Sequence, residues 1–340
     1  MYSIAFGQNK EEAEKLVNEG IAYHDKGDYK GAIVRYDKAL ELDEDNLLAL
    51  AEKAMTLVSL QKYAEAIKYC EKVIEKHPGN KALNMVYVTY GNASDGLNKT
   101  DRSLEIYDEG IKLFPNFYQL YFNKGITLSS VKKYDEALTC FQKAASLNPK
   151  HGSSHNALAR LLFGTDKNIP SLLACCRLLI LEPESNRGKE DLIIVQKIMG
   201  GDVEKTGKNS ITININNASL GDTTADGKNN ENNFSMTSLI LAMTAGLDYD
   251  KANKKKTKVE QFIRKFEVVC STLKESQNKN YGFYWSYYAP YFIEMKDKGL
   301  VTTFAYIAFA SSADSDVSSW LKSHKTEIQE FYKWSNGYSW

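Results

Sequence analysis

The feature that most restricts this chain is a recurrence: the same residue types return every thirty-four positions through its first half. The first copy holds Gly20, Tyr23, Gly27, Tyr29, Ala32, Tyr36 and Ala39. The second holds Ala54, Leu57, Tyr63, Ala66, Cys70, Val73 and Pro78. The third gives Gly91, Ser103, Tyr107, Gly110 and Pro115, and the fourth Gly125, Leu128, Tyr134, Ala137, Phe141, Ala144 and Pro149. A worn fifth copy keeps Ala159, Leu162, Ser171, Cys175, Leu178 and Pro183. The frames are 13–46, 47–80, 84–117, 118–151 and 152–185, with Lys81 to Leu83 inserted between the second and third. A chain with this period builds one small unit repeatedly, and each unit needs its neighbours to bury its apolar face.

Each frame predicts two antiparallel helices. Small residues (Gly20, Ala54, Gly91, Gly125) let the first helix approach closely, and Ala32, Ala66 and Ala137 do the same for the second. Tyr23, Leu57, Leu128, Tyr36 and Phe141 fill the space between. Pro78, Pro115, Pro149 and Pro183 close each second helix, because proline lacks an N–H and clashes with the preceding turn.

These residues at these offsets resemble the tetratricopeptide repeat over residues 13–185. The resemblance implies an all-α chain whose hairpins stack as an α-solenoid, a right-handed superhelix with a concave face lined by the first helix of each copy. Mapped onto this sequence, that groove carries Val17, Ile21, His24, Leu48, Met55, Val58, Met85, Val88, Asn92, Gln119, Phe122, Ile126, Ser129, Asn156 and Arg160. It is apolar enough to hold an extended or helical peptide, with two methionines able to re-pack. The alternative is that several of these side chains face the next helix or a folded-back C-terminal segment. Some members of the family clamp a terminal carboxylate with paired Lys, Asn and Arg. Here Asn18 and Asn123 match the asparagine position, but Glu52 and Thr89 replace it elsewhere and the basic partners are missing, which argues against chaperone-tail binding.

Beyond Pro183 the period ends. Residues 186–200 read as a capping helix, Ile211–Ile215 as a short strand, and 216–233 as a flexible Asn- and Gly-rich loop within a 201–233 connection. Helical patterns over 234–247, 259–277, 286–298, 300–311 and 317–334 predict a helical C-terminal domain, 234–340, with at most a short strand pair. Between Tyr281 and Phe292 lie eight aromatic residues. They form either a core where helices meet or, as the lesser alternative, a stacking strip for sugar rings or a partner's apolar surface.

Composition removes other classes. Lys+Arg and Asp+Glu are 43 each, so no net field gathers nucleic acid. The basic run Lys251–Lys258, beside Asp248 and Asp250, reads as a solvated helix start. No apolar stretch is long enough to cross a membrane. The five cysteines match no zinc pattern, and Cys70, Cys140 and Cys175 fall on repeat positions expected to be buried. His151 and His155 lack the glutamate of a zinc-protease helix, and no P-loop, dinucleotide or G-x-S-x-G pattern occurs.

No catalytic residue, metal or cofactor is therefore expected. The predicted role is a non-enzymatic interaction scaffold for a protein or peptide, with self-association left open. An envelope- or carbohydrate-binding protein and an enzyme with a docking arm are the alternatives. Residues 1–12 read as an N-terminal arm or a secretory-leader remnant, with small residues at Ala5 and Gly7. The second reading leans toward export to a Gram-negative periplasm, the first toward the cytoplasm.

Overall fold

The structure, a computed structural model, describes residues 2–201, 203–207, 211–213 and 231–340. Among these the chain is all-α apart from one short strand pair. It divides into two compact units, Met1–Leu147 and Asn148–Trp340.

The first unit holds α1 (Tyr2–Asp25), α2 (Tyr29–Leu42), α3 (Leu47–Ser59), α4 (Tyr63–Lys76), α5 (Leu83–Gly96), α6 (Thr100–Leu113), α7 (Tyr118–Ser130) and α8 (Tyr134–Leu147). They pair as four hairpins, α1 with α2, α3 with α4, α5 with α6 and α7 with α8. The segment expected to be an arm is helical from Tyr2 and continuous with α1. The first helices adjoin in a row, α1 with α3, α3 with α5 and α5 with α7, and so share one face.

Each first helix ends the same way. Gly27, Gln61, Asn98 and Lys132 take left-handed backbone conformations, with φ of 79°, 59°, 59° and 62°. The following N–H reaches back across the turn, from Asp28 to the Tyr23 carbonyl (2.9 Å), Lys62 to Leu57 (2.8 Å), Lys99 to Ser94 (3.0 Å) and Lys133 to Leu128 (3.0 Å). This is the Schellman closure, which satisfies carbonyls that the helix end leaves over. Only the first copy uses glycine, the residue that adopts this conformation without cost.

Packing within a hairpin follows a volume rule. A Cβ on Gly20 would lie 2.4 Å from the Tyr36 ring, one on Gly91 2.3 Å from Tyr107, and one on Gly125 2.6 Å from Phe141. Where the first helix carries Ala54 instead, the residue in the ring's place is Cys70, and both are fully buried. A methyl with a thiol replaces a hydrogen with a ring, which keeps the pair's volume within what a dense core tolerates.

Adjacent hairpins are tied by a polar contact the repeat pattern did not reveal. Asp37 pairs with Lys53, the Tyr90 hydroxyl donates to Glu71 at 2.8 Å, and Lys124 meets Asp108 at 2.6 Å. These are equivalent positions in successive copies, once the Lys81–Leu83 insertion is allowed for.

The second unit begins with the fifth hairpin, α9 (Gly152–Phe163) and α10 (Asn168–Leu181), closed by the same turn at Asp166 (φ 57°). There follow α11 (Asn186–Gly200), β1 (Val203–Lys205), β2 (Ile211–Ile213), α12 (Ser235–Gly246), α13 (Lys258–Ser276), α14 (Phe283–Asp297), α15 (Val301–Ala308), α16 (Ser315–Ser323) and α17 (Lys325–Gly337). Helix α10 is the centre: α9, α11, α12, α14 and α15 all pack on it, and every residue from Ile169 to Ile180 is buried. Its sequence is apolar all round, which demands cover on every side.

The expected strand is found as β2, paired antiparallel with β1 in the register Val203 to Ile213. Most of the expected 216–233 loop lies outside the described residues. The single helix expected over 317–334 is two helices, broken at His324. There the Ser323 hydroxyl bonds back to the Ser319 and Trp320 carbonyls, and the His324 ring stacks on Trp320 at 4.1 Å. Side chains that bond the local backbone compete with helix propagation in this way.

The aromatic run of α14 is core. Tyr284, Trp285, Tyr287, Tyr288, Tyr291 and Phe292 are buried, Trp285 stacks on Phe234 at 4.3 Å, and its indole N–H donates to the Asn233 carbonyl at 3.1 Å. Trp285 and Tyr288 are buried and offer no free face for stacking on a sugar, whereas Tyr281 of the same strip is exposed. Against this aromatic wall sits Arg177 of α10, 2% exposed. Its guanidinium lies over the Trp340 ring (4.5 Å) and the Tyr291 ring (5.3 Å) and donates to the Pro149 carbonyl at 3.1 Å.

Candidate peptide-binding face

The row α1, α3, α5 and α7 presents the candidate groove residues of the first unit. Leu48, Met85 and Ile126 are exposed at 43%, 36% and 46%, one on each of three adjoining helices. Ile21, His24, Met55, Val58, Asn92, Gln119, Phe122 and Ser129 are half-buried between the helices. Val17 and Val88 correct the expectation. Both are buried, Val17 in the core of the first hairpin and Val88 in that of the second and third. A helix face is wider than a groove floor, and one position along the helix decides between them.

The polar groups on this face have mostly been given partners. His24 Nδ1 lies 2.7 Å from the Thr56 hydroxyl and ties α1 to α3. Asn92 accepts the Tyr107 hydroxyl at 2.6 Å. At the asparagine position of the carboxylate clamp, Thr89 donates to its own helix at the Met85 carbonyl (3.0 Å), and Asn123 does the same at Gln119 (2.8 Å). Glu52, in the same position of the second copy, makes no such bond. Burial and the nearby Asp25 carboxylate hold its pKa above the ordinary glutamate value.

Asn156 and Arg160 belong to the second unit, where α11 engages both. Asn156 donates to the buried Asp191 at 3.0 Å, and Arg160 pairs with Glu190. Here the capping helix supplies partners to the expected groove residues, while Arg160 stays exposed. Burial pushes the Asp191 pKa up to about 7. On α9, His155, whose Nδ1 is 2.6 Å from the Tyr288 hydroxyl and whose Nε2 is 3.0 Å from the Pro149 carbonyl, is held neutral, its pKa pushed down to about 3 by burial.

All five cysteines are free, and four are buried; Cys140 is only half-buried, against expectation. Burial pushes the Cys70 thiol up to about 12 and that of Cys140 to about 11. Neither is a nucleophile at neutral pH. Among the described residues no group of three His, Cys, Asp or Glu side chains could hold a metal ion, and no helix is long and apolar enough to cross a membrane.

Stacked, Schellman-closed hairpins with a shared first-helix face define an α-solenoid. Family models for the tetratricopeptide repeat match residues 23–87 and 118–151. The first half of the chain thus carries tetratricopeptide repeats. The chain is 30% identical over 169 residues to the protein STIP1 homolog of Dictyostelium discoideum, covering 41% of this chain and 30% of that protein. It is 24% identical over 153 residues to a probable UDP-N-acetylglucosamine–peptide N-acetylglucosaminyltransferase, SPINDLY, of Hordeum vulgare, covering 44% of this chain and 16% of that protein. A thermophilic TPR protein of Thermus thermophilus superposes with a TM-score of 0.48 at 16% identity, over 54% of this chain and all of that one. The chain thus spans less than a third of the length of either curated relative.

Proposed function

We propose that this chain is a non-enzymatic scaffold that holds a protein or peptide partner against the first-helix face of α1, α3, α5 and α7. One observation carries the reading: Leu48, Met85 and Ile126 stand exposed on three adjoining helices. Scattered apolar residues on a surface need no explanation, but apolar side chains exposed on one shared helix face suit a contact surface. A helical or extended segment with spaced apolar side chains fits such a row. The thiols held protonated by burial support a role without covalent catalysis. The relative named as a transferase is matched over 16% of its length, which brings no transfer chemistry to this chain.

The test is a random display library of linear peptides panned on the full chain, with binding of the selected peptides followed by fluorescence anisotropy. The triple variant Leu48→Glu, Met85→Glu and Ile126→Glu is expected to lose binding at least tenfold while keeping its helical circular dichroism, because all three side chains already face water. Undiminished binding by the triple variant sinks the reading.

A further inference from the structure

In the second unit an exposed apolar stripe runs into the most basic stretch of the chain. Helix α12 is built from Met, Leu, Ile, Ala, Ser, Thr and Gly, with no charged residue. Its inner side is covered: Thr237, Leu241, Thr244 and Ala245 are buried, and α10, α11 and α13 pack against the helix. On the other side Met236, Met243 and Leu247 are exposed at 54%, 58% and 47%. Their spacing of seven and then four residues sets them along one line of the helix, about 16 Å long for the helical rise. Tyr249, also exposed, follows in a single 3-10 turn, its hydroxyl donating to the Val203 carbonyl at 3.2 Å. An apolar helix is ordinarily enclosed, so a bare stripe along it points to a contact.

The chain then turns into Lys251, Lys254, Lys255, Lys256 and Lys258, a stretch of eight residues that holds no acid. No other stretch of that length is as basic, and all five side chains are exposed. The turn is pinned to the end of the stripe. Asn253 donates its side-chain N–H to the Leu247 carbonyl at 3.1 Å, and the Lys254 N–H reaches the Asp250 carbonyl at 2.9 Å. A solvated helix start, the expectation for this run, accounts for Lys258 alone. Helix α13 begins there, closed by a capping box between Thr257 and Glu260. Lys254, Lys255 and Lys256 precede that cap, at the end of a helix where cations are disfavoured. Across residues 248–265 seven cations stand against three carboxylates, so the excess survives the pairing of Asp248 with Arg264 and Lys265.

We infer that α12 and the lysine turn dock on the surface of a bilayer rich in anionic lipid. Met236, Met243, Leu247 and Tyr249 enter the boundary between headgroups and acyl chains, and the lysines stay among the lipid phosphates. Charge selects this occupant. A second copy of the chain would set one net positive face against another. Five lysines without an arginine are point charges lacking the planar fork that reads one particular carboxylate or phosphate. They suit a diffuse negative field, and the stripe beside them suits an apolar layer beneath it.

The test is co-sedimentation of the full chain with vesicles of phosphatidylcholine alone and of phosphatidylcholine and phosphatidylglycerol in equal parts. The chain is expected to partition roughly tenfold or more better onto the mixed vesicles, and to lose that gain as salt is raised. Two variants separate the charge from the stripe. Both alter exposed side chains and should keep the parent's helical circular dichroism. Lys251→Gln, Lys254→Gln, Lys255→Gln and Lys256→Gln together should bring binding to the mixed vesicles down to the level on phosphatidylcholine alone. Met236→Ser, Met243→Ser and Leu247→Ser together should weaken it by roughly tenfold or more. Equal partition onto the two vesicles overturns the proposal, as does undiminished binding by either variant. A chain that ignores both vesicles overturns it as well, and dimers in sedimentation velocity that the serine variant dissolves would then assign the stripe to a second copy.

Discussion

The fourth and fifth hairpins are drawn from one pattern and meet opposite fates. In α8 only Ala137, Leu138, Phe141, Ala144 and Ala145 are buried, while Asp135, Glu136, Thr139 and Lys143 face water. In α10 twelve consecutive residues are buried. The turn that precedes each helix is the same, with Lys132 and Asp166 both left-handed. A repeat motif thus fixes how two helices fold against each other, whereas the residues between its marked positions decide what covers their backs. In the first unit that leaves a first-helix face open at Leu48, Met85 and Ile126. In the second, Asn156 and Arg160 are taken up by α11.

The largest test of this contrast is a pair of equivalent substitutions. Arg177 in α10 occupies the repeat position of Lys143 in α8. Arg177→Ala should cost roughly 3–5 kcal/mol by urea or guanidinium unfolding, since it opens a cavity between Tyr291 and Trp340 and strips the Pro149 carbonyl of a donor. Lys143→Ala should stay within about 0.5 kcal/mol, as exposed substitutions do. Equal costs would mean that the two helices are embedded alike, and the comparison would fail.

A second test exploits titration inside the fifth hairpin. His155 has a folded pKa near 3, below its ordinary 6.5, so it adds stability above pH 6.5 that is lost as the pH falls toward 3. Asp191 has a folded pKa near 7, above its ordinary 3.8, so its contribution is full below pH 3.8 and lost as the pH rises through 7. Between about 4 and 6.5 the unfolded chain binds one more proton at His155 and one fewer at Asp191, and the two slopes cancel. Asp191→Asn removes one of them. The variant's unfolding free energy should then fall with acid by roughly 1.4 kcal/mol per pH unit across that window, relative to the parent. Parallel curves for parent and variant would show that Asp191 does not hold its proton in the fold.

The smallest effect probes what the two regions share. Gln61→Gly, Lys132→Gly and Asp166→Gly should each stabilise the chain by up to about 1 kcal/mol, because glycine takes the left-handed conformation without the Cβ penalty. Similar gains at Lys132 and Asp166 would establish that the turn is indifferent to what surrounds its hairpin. Thermal unfolding of the three variants is enough to read this.

Much of the first unit could be read directly from residue spacing. The glycine or alanine of each first helix and the ring or thiol sixteen positions on mark the hairpins, since a close approach leaves no latitude in size. The repeat positions anticipated burial of Cys175 in α10, but not that of its whole length. The inter-hairpin ties Asp37 to Lys53 and Asp108 to Lys124 could have been found from their own sixteen-residue spacing, but charged pairs recur too often by chance to stand out. The groove was legible only as a face. Helical period put Val17 and Val88 beside Leu48 and Met85, and only the angle at which the helices meet sent the first two into the core.

The sequence by itself therefore determined the hairpins and the repeat they belong to, because both depend on contacts within some forty residues that a period can encode. The burial of Val17 and Val88 and the engagement of Asn156 and Arg160 by α11 were decided by tertiary structure. Each arises where separate helices come together, and no local pattern records the orientation at which they do so.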